Sequence, residues 1–199
     1  MTGKFIVLEG PDGSGKSTQI QMLADFFKSK NIQFVLTKNP TNGGIGTILR
    51  EYYLKNNTHH LADALLFAAD RAEQVETIIK PSLGQGKLVI SDRYYHSNLV
   101  YQSAQGLNFN WLKQINKNFP KPDLTIVLDI DPAAALKRID SERTQKEKFE
   151  TLEFLKKIQK KYLQLPKKLK ENIIVLDGNR TKEEVHANVF REVNKLINP

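Results

Sequence analysis

Short apolar runs alternate along the chain with longer stretches in which apolar residues return every three or four positions. The runs at 5–8, 32–36, 88–90, 124–128 and 173–176 are apolar almost throughout and end in turn signals or polar residues. Strands covered on both faces have this character, so these five predict a buried, mostly parallel sheet. Helical periodicity predicts helices over 17–28, 46–54, 61–79, 98–103, 111–118, 132–139, 149–165 and 182–196. Interleaved in this order, the elements predict an α/β fold with helices on both faces of a five-stranded parallel sheet. They fill the 199 residues and predict one domain, 1–199.

In the helix predicted over 61–79, a step of about 100° per residue aligns Leu61, Leu65, Ala68, Ala72, Val75 and Ile79. That stripe is expected to face the core. Phe67 and Arg71 lie off it, one turn apart on a shared face. The segment 137–148, KRIDSERTQKEK, has Ile139 as its single apolar residue. It reads as either a solvated helix end or a loop that orders on a ligand. Between 156 and 170 there are seven lysines and no acidic residue, which reads as a solvated helix face.

Composition narrows the function. Charged residues make up 26% and apolar residues 40%, as in a folded water-soluble domain. Cysteine is absent, which excludes disulfides, thiolate metal sites and a cysteine nucleophile, and favours a cytoplasmic setting. No secretory leader is expected in the first 25 residues, and no run approaches the roughly 20 apolar residues of a membrane span. The net charge of +8 calls for an anionic partner without naming it.

The most specific signal is 10-GPDGSGKS-17, which fits G-x-x-x-x-G-K-[ST] between an apolar strand and an amphipathic helix. Gly10, Gly13, Ser14 and Gly15 let backbone N–H groups converge on phosphate oxygens, and the helix that follows adds its positive end. Lys16 is expected to reach the β- and γ-phosphates, Ser17 to ligate Mg²⁺, and Thr18 to assist at the α-phosphate. The chain is therefore expected to bind a nucleoside triphosphate. No N-K-x-D element for guanine is present, and the size suits a small-molecule kinase.

A second cluster closes the strand at 88–90. Asp92 stands where a strand end meets ligand in an open parallel sheet, so it suits Mg²⁺ through water. Arg93 offers a bidentate fork for a phosphate between donor and acceptor. A structural Asp–Arg pair is the alternative. Phe67 beside Arg71 could stack on a base and bond its edge, or be a packing contact beside a surface arginine.

These pieces, in this order and spacing, resemble the thymidylate kinase family. They are the 10–18 loop with Asp12, the 37–40 loop, 66-LFAADRA-72, 92-DRY-94, 97-SNLVYQ-102, and 122-PD-123 before the strand that leads to 128-LDIDP-132. The resemblance implies a P-loop NTPase three-layer sandwich that transfers phosphate from ATP to dTMP with Mg²⁺, as a homodimer. It implies that Phe67 stacks on thymine, that Arg71 bonds the base edge, and that Arg93 contacts the acceptor and transferring phosphates. Asp12 receives the sugar 3′-hydroxyl or positions phosphates. Ser97 and Asn98 line the thymine pocket, while Tyr101 and Gln102 wall off a ribose. Pro40 belongs to the acceptor loop. A lid at about 138–148 supplies the transfer cation, because Gly13 stands where some relatives carry a phosphate-loop arginine. Arg143 is the favoured cation among Arg138, Arg143, Lys146 and Lys148, and Arg138 also packs against adenine.

One loop departs from the family pattern. It reads Thr37-Lys-Asn-Pro40 in place of Thr-Arg-Glu-Pro, so Lys38 keeps charge without the planar fork, and Arg50 is expected to carry that load. His59 and His60 are read as surface residues and Asp131-Pro132 as structural. The competing readings are a kinase for dUMP or thymidine, a weak paralogue, and a non-catalytic P-loop protein that binds nucleic acid through the lysine-rich helix. No stacking aromatics beyond Tyr162 interleave those lysines, so nucleic acid is not expected as a partner.

Overall fold

The strands β1 (Lys4–Glu9), β2 (Phe34–Lys38), β3 (Leu88–Asp92), β4 (Leu124–Asp129) and β5 (Ile173–Asp177) form one parallel sheet. Its order is β2-β3-β1-β4-β5. The computed structural model describes residues 3–53, 59–142 and 151–198. The central strand β1 pairs Ile6 with Ile90 on one side and with Leu124 on the other.

Each apolar run lies in its expected strand. Every strand, however, ends on a charged residue just past its apolar run: Glu9, Lys38, Asp92, Asp129 and Asp177. Ladder bonds belong to the backbone and continue past the apolar run. β2 begins later than expected, because Asn31 turns the chain at φ 54° and Ile32 N–H caps the preceding helix through Phe27 O.

The helices are α1 (Lys16–Ser29), α2 (Gly44–Ile48), α3 (His60–Gln74), α4 (Lys80–Gly84), α5 (Tyr95–Ala104), α6 (Phe109–Asn116), α7 (Pro132–Glu142), α8 (Leu152–Lys168) and α9 (Lys182–Ile197). Wider π-helical turns follow α2 at Leu49–Tyr53 and α3 at Val75–Ile79. Period-two alternation in β1 divides the core. Ile6 and Leu8 pack with α1 and α9 through Leu23, Phe27, Val185 and Val189. Phe5 and Val7 face α3, α5, α7 and α8 through Ala64, Leu99, Ile139 and Leu155. The sheet is thus covered on both faces. Asp131 is structural as expected: its Oδ1 accepts from Ala133 N–H (2.8 Å) and Ala134 N–H (3.0 Å) and caps α7.

The stripe expected to bury α3 does not do so along its first half. Leu61 and Leu65 are 46% and 47% exposed, and Ala72 is also exposed. The buried face carries Asp63, Ala64, Asp70, Arg71 and Gln74. Polar residues face inward here because they meet the site loops. The π turn then takes extra residues per turn, which slips the phase and returns Val75 and Ile79 to the core. The expected lid begins as the last residues of α7, and 143–150 lie outside the described residues. So do Arg143, Lys146 and Lys148.

Candidate active site

A cavity of about 540 Å³ opens at the carboxyl ends of β1, β2 and β3. The phosphate loop forms one wall, the loop after β2 with α3 and α5 another, and α7 with the turn after β5 the rest. Lys16, Lys38, Arg50, Arg93, Arg138, Arg180 and Lys182 line it against the two carboxylates Asp12 and Asp92. The net positive charge of the chain is thus concentrated where anions would sit.

The loop joins β1 to α1, the context its sequence pattern requires. Gly10, Gly13 and Gly15 have φ of 143°, 74° and 89°, a region that side chains avoid. A Cβ on Gly13 would lie 2.6 Å from Ala135 O, so α7 packs too closely for a loop arginine at that position. Gly10 turns the chain behind the cavity, while Asp12 through Thr18 line it. The Lys16 ammonium donates to Gly10 O (3.1 Å) and Pro11 O (2.9 Å). Burial, with Arg93 adding repulsion, lowers its pKa from 10.5 to about 8. Arg138 Nη1 donates to Gly13 O at 3.2 Å and lines the cavity.

Arg93 joins the two halves. Its φ of 69° is rare for a side-chain-bearing residue, and its N–H is fixed to Leu8 O at 2.9 Å. Nη2 donates to Asp12 Oδ1 (2.9 Å) and Tyr101 OH (3.1 Å); Nη1 donates to Ser97 Oγ (3.0 Å) and Tyr162 OH (3.2 Å). Burial works against its charge, but Tyr101, Asp12, Tyr162 and Glu9 outweigh it and raise the pKa above the ordinary arginine value. Ser17 Oγ donates to Asp92 Oδ2 at 3.0 Å. The buried Asp92 Oδ1 has no hydrogen-bond partner among the described residues. Two hard oxygen ligands side by side, one with a spare lone pair, fit a magnesium ion.

On the acceptor side Lys38, Pro40, Arg50, Phe67, Ser97, Asn98, Tyr101 and Gln102 all line the cavity. Arg50 bonds the loop carbonyls of Pro40 and Thr41 as well as Thr47 Oγ1. Arg71 is neither on the surface nor on the cavity wall: it is fully buried. Its Nη1 donates to Asn116 Oδ1 (2.7 Å) and its Nη2 to Asn39 Oδ1 (2.9 Å). Burial lowers its pKa to about 10. His59 and His60 are exposed, and no group of three or more metal-ligating side chains occurs among the described residues.

A family model described as thymidylate kinase matches residues 8–189. The chain belongs to the thymidylate kinase family. A probable thymidylate kinase of Pyrococcus horikoshii is 43% identical over 195 residues, covering 95% of each chain. One from Pyrococcus abyssi is 44% identical over 195 residues, with 95% of each chain covered. One from Pyrobaculum aerophilum is 42% identical, covering 97% of each chain.

Within this family frame, several site residues escaped the sequence reading. Glu9 is wholly buried at the end of β1, and its Oε1 accepts from the N–H groups of Tyr94 (2.8 Å) and Ser97 (3.2 Å). Oε2 accepts from Ser97 Oγ (2.6 Å) and Tyr162 OH (2.9 Å). The signal was available, because Glu9 shares the inward face of Phe5 and Val7, where an unpaired carboxylate is costly. Tyr162, Arg180 and Lys182 were passed over because they sit far along the chain without a motif. Asn39 was read only as part of a loop that departs from the family pattern. The structure shows it bridging Arg71 to Asp70, whose Oδ2 accepts from Asn39 Nδ2 at 2.6 Å.

Proposed function

We propose that this chain transfers the γ-phosphoryl group of ATP to dTMP, giving ADP and dTDP. The observation that carries this reading, beyond family membership, is Arg93. Its guanidinium touches Asp12 of the phosphate loop and Tyr101 and Ser97 of the acceptor wall at once. A fixed fork between two anion sites is what in-line transfer between phosphates requires.

The loop amides of residues 13–18 and Lys16 hold the ATP phosphates, with Arg138 beside them toward the adenine. Ser17 and, through water, Asp92 hold Mg²⁺, which would neutralise phosphate charge when bound. Phe67 stacks on thymine. Lys38 and Arg50 hold the acceptor phosphate with Arg93, and Asp12 orients the sugar or the phosphates. Tyr101 and Gln102 close the side of the sugar where a ribose would add a hydroxyl. The acceptor phosphate oxygen is already a nucleophile, so the protein contributes position and charge rather than a general base. Arg143 on the lid supplies the further cation, and closure excludes water.

We further propose a homodimer packed through the apolar stripe that α3 leaves exposed, and a cytoplasmic setting. The lack of cysteine and the use of ATP support the latter.

A coupled ADP-release assay with ATP and Mg²⁺ tests the reading across dTMP, dUMP, dCMP, dGMP, UMP and thymidine. Fast release with dTMP, slower with dUMP and negligible with thymidine is expected. Release stimulated best by another acceptor would overturn the pocket assignment. No stimulation by any acceptor would overturn the enzyme.

A further inference from the structure

One wall of the cavity lies far from the acceptor. Gly178, Arg180, Lys182 and Val185 form it, where the turn after β5 enters α9. The acceptor loop follows β2 at one edge of the sheet, this turn follows β5 at the other, and the phosphate loop follows the central β1 between them. A donor with its phosphates on that loop and its last phosphate at Arg93 must run its nucleoside toward the β5 edge.

Gln19 follows Thr18 on α1 and is buried, and its amide brackets the first turn of α9. Lys182 O only accepts, so the Gln19 atom 3.0 Å from it must be Nε2. Oε1 therefore faces His186, one turn further on, and Nδ1 of that ring, 3.2 Å away, must be the donor. Burial lowers the His186 pKa, which keeps the ring neutral at pH 7 with its one hydrogen on Nδ1. The turn is tied at its start by Gly178 N–H to Asp129 O (2.6 Å), and within it Arg180 Nε donates to Asp177 Oδ2 at 3.1 Å. Val185 and Val189 pack in one cluster with Leu23 and Phe27. Apolar packing is non-directional, whereas two hydrogen bonds from one amide fix a register.

We propose that Gln19 is a positioning residue: it holds the first turn of α9 in register with the phosphate loop, and so sets the affinity for the nucleoside of the phosphoryl donor apart from its phosphates. This rests on the kinase reading above.

Gln19→Leu keeps the bulk and removes both hydrogen bonds. His186→Phe removes one of them, keeps a ring beside Phe190, and lies off the cavity wall. The test is calorimetric binding of MgATP and of magnesium tripolyphosphate to the full chain, with kcat and KM for both substrates. In Gln19→Leu, MgATP affinity should fall about three- to tenfold, while tripolyphosphate stays within about twofold. The KM for ATP should rise in step, with kcat and the KM for dTMP within about twofold of the parent. His186→Phe should move the same quantities by a smaller factor and add little in the Gln19→Leu background. Equal losses for MgATP and tripolyphosphate would overturn the proposal, because the effect would then lie in the phosphate loop. A His186→Phe variant with parental MgATP affinity would overturn it too, because Gln19 would then act by direct contact. If Gln19→Leu alone misfolds, the His186→Phe measurements decide; loss of folding in both assigns the pair to the core and overturns the proposal. Failure of the unsubstituted chain to bind MgATP or to turn over dTMP sinks the kinase reading instead.

Discussion

Glu9 and Ser97, 88 residues apart, share a 2.6 Å hydrogen bond that fixes the first turn of α5 to the end of β1. The same Ser97 oxygen accepts from Arg93 Nη1, so a carboxylate with no cavity contact sets where Arg93 points. Four donors converge on Glu9, from Tyr94 N, Ser97 N, Ser97 Oγ and Tyr162 OH. Glu9→Gln turns an amide N–H₂ toward one pair of them. A hydrogen bond to a buried charge is worth about 1.5–3 kcal/mol, so kcat should fall roughly 10- to 100-fold. Steady-state kinetics with a thermal melt decides it. A lower melting temperature with unchanged kcat would reduce Glu9 to a structural anchor.

Lys16 predicts a proton linkage. Burial lowers its pKa from 10.5 to about 8, and a bound phosphate restores the charged form. ATP binding should therefore take up about half a proton near pH 8 and almost none near pH 6. Titration calorimetry in buffers of different ionisation enthalpy measures this directly. ATP affinity should weaken as pH rises above 8. The stability of the free chain moves the other way. Between pH 8 and 10.5 the unfolded chain holds the extra proton, so this group makes the free fold more stable as pH rises. Proton release on binding, or none at pH 8, would contradict the placement of Lys16 at the phosphates.

The strands and the phosphate loop were legible in the sequence because their causes are local. An apolar run of three to five residues between turn signals has few alternatives, and G-x-x-x-x-G-K-[ST] carries its own geometry. The α3 stripe was misread because periodicity counts apolar residues without knowing what they meet. Leu61 and Leu65 are apolar and exposed, whereas Asp70 and Arg71 are charged and buried, because a polar loop lies opposite. Asn39 is the same lesson at one residue. Its value lies in bridging Asp70 and Arg71, a contact between residues more than 30 positions apart. Glu9 was hidden for that reason too: its partners come from α5 and α8.

Tyr101 combines two functions that separate substitutions can divide. In the proposed site its ring walls the sugar, while its hydroxyl accepts from Arg93 and donates to Asp12 at 3.3 Å. Tyr101→Phe keeps the bulk and loses the hydroxyl. It should lower kcat several-fold, about 1 kcal/mol of transition-state stabilisation, while preserving the preference for dTMP over its ribo counterpart. Tyr101→Ala should lose the preference as well. Comparing kcat/KM for the two acceptors across both variants tests the division. Loss of sugar discrimination in Tyr101→Phe would show that the hydroxyl, not the ring, reads the sugar.

The exposed leucines of α3 make the last prediction. Leu61 and Leu65 lie one turn apart at 46% and 47% exposure, and Ile48 on α2 is 50% exposed. Helices α2 and α3 pack against each other, so these side chains can belong to one surface. Isolated exposed apolar residues are ordinary, but a run at helical spacing on adjacent helices marks an interface. A second copy presenting the same stripe would bury it in a self-complementary contact. Sedimentation of the chain should give a mass near twice 22.7 kDa. Leu61→Glu with Leu65→Glu puts like charges face to face across the twofold axis, and should return the monomer with its helical content intact. Because α3 also carries Phe67 and Arg71, the monomer should show a raised KM for dTMP with little change for ATP. A charged variant that stays dimeric would place the contact elsewhere on the surface. A parent chain that sediments as a monomer at micromolar concentration would remove the dimer altogether.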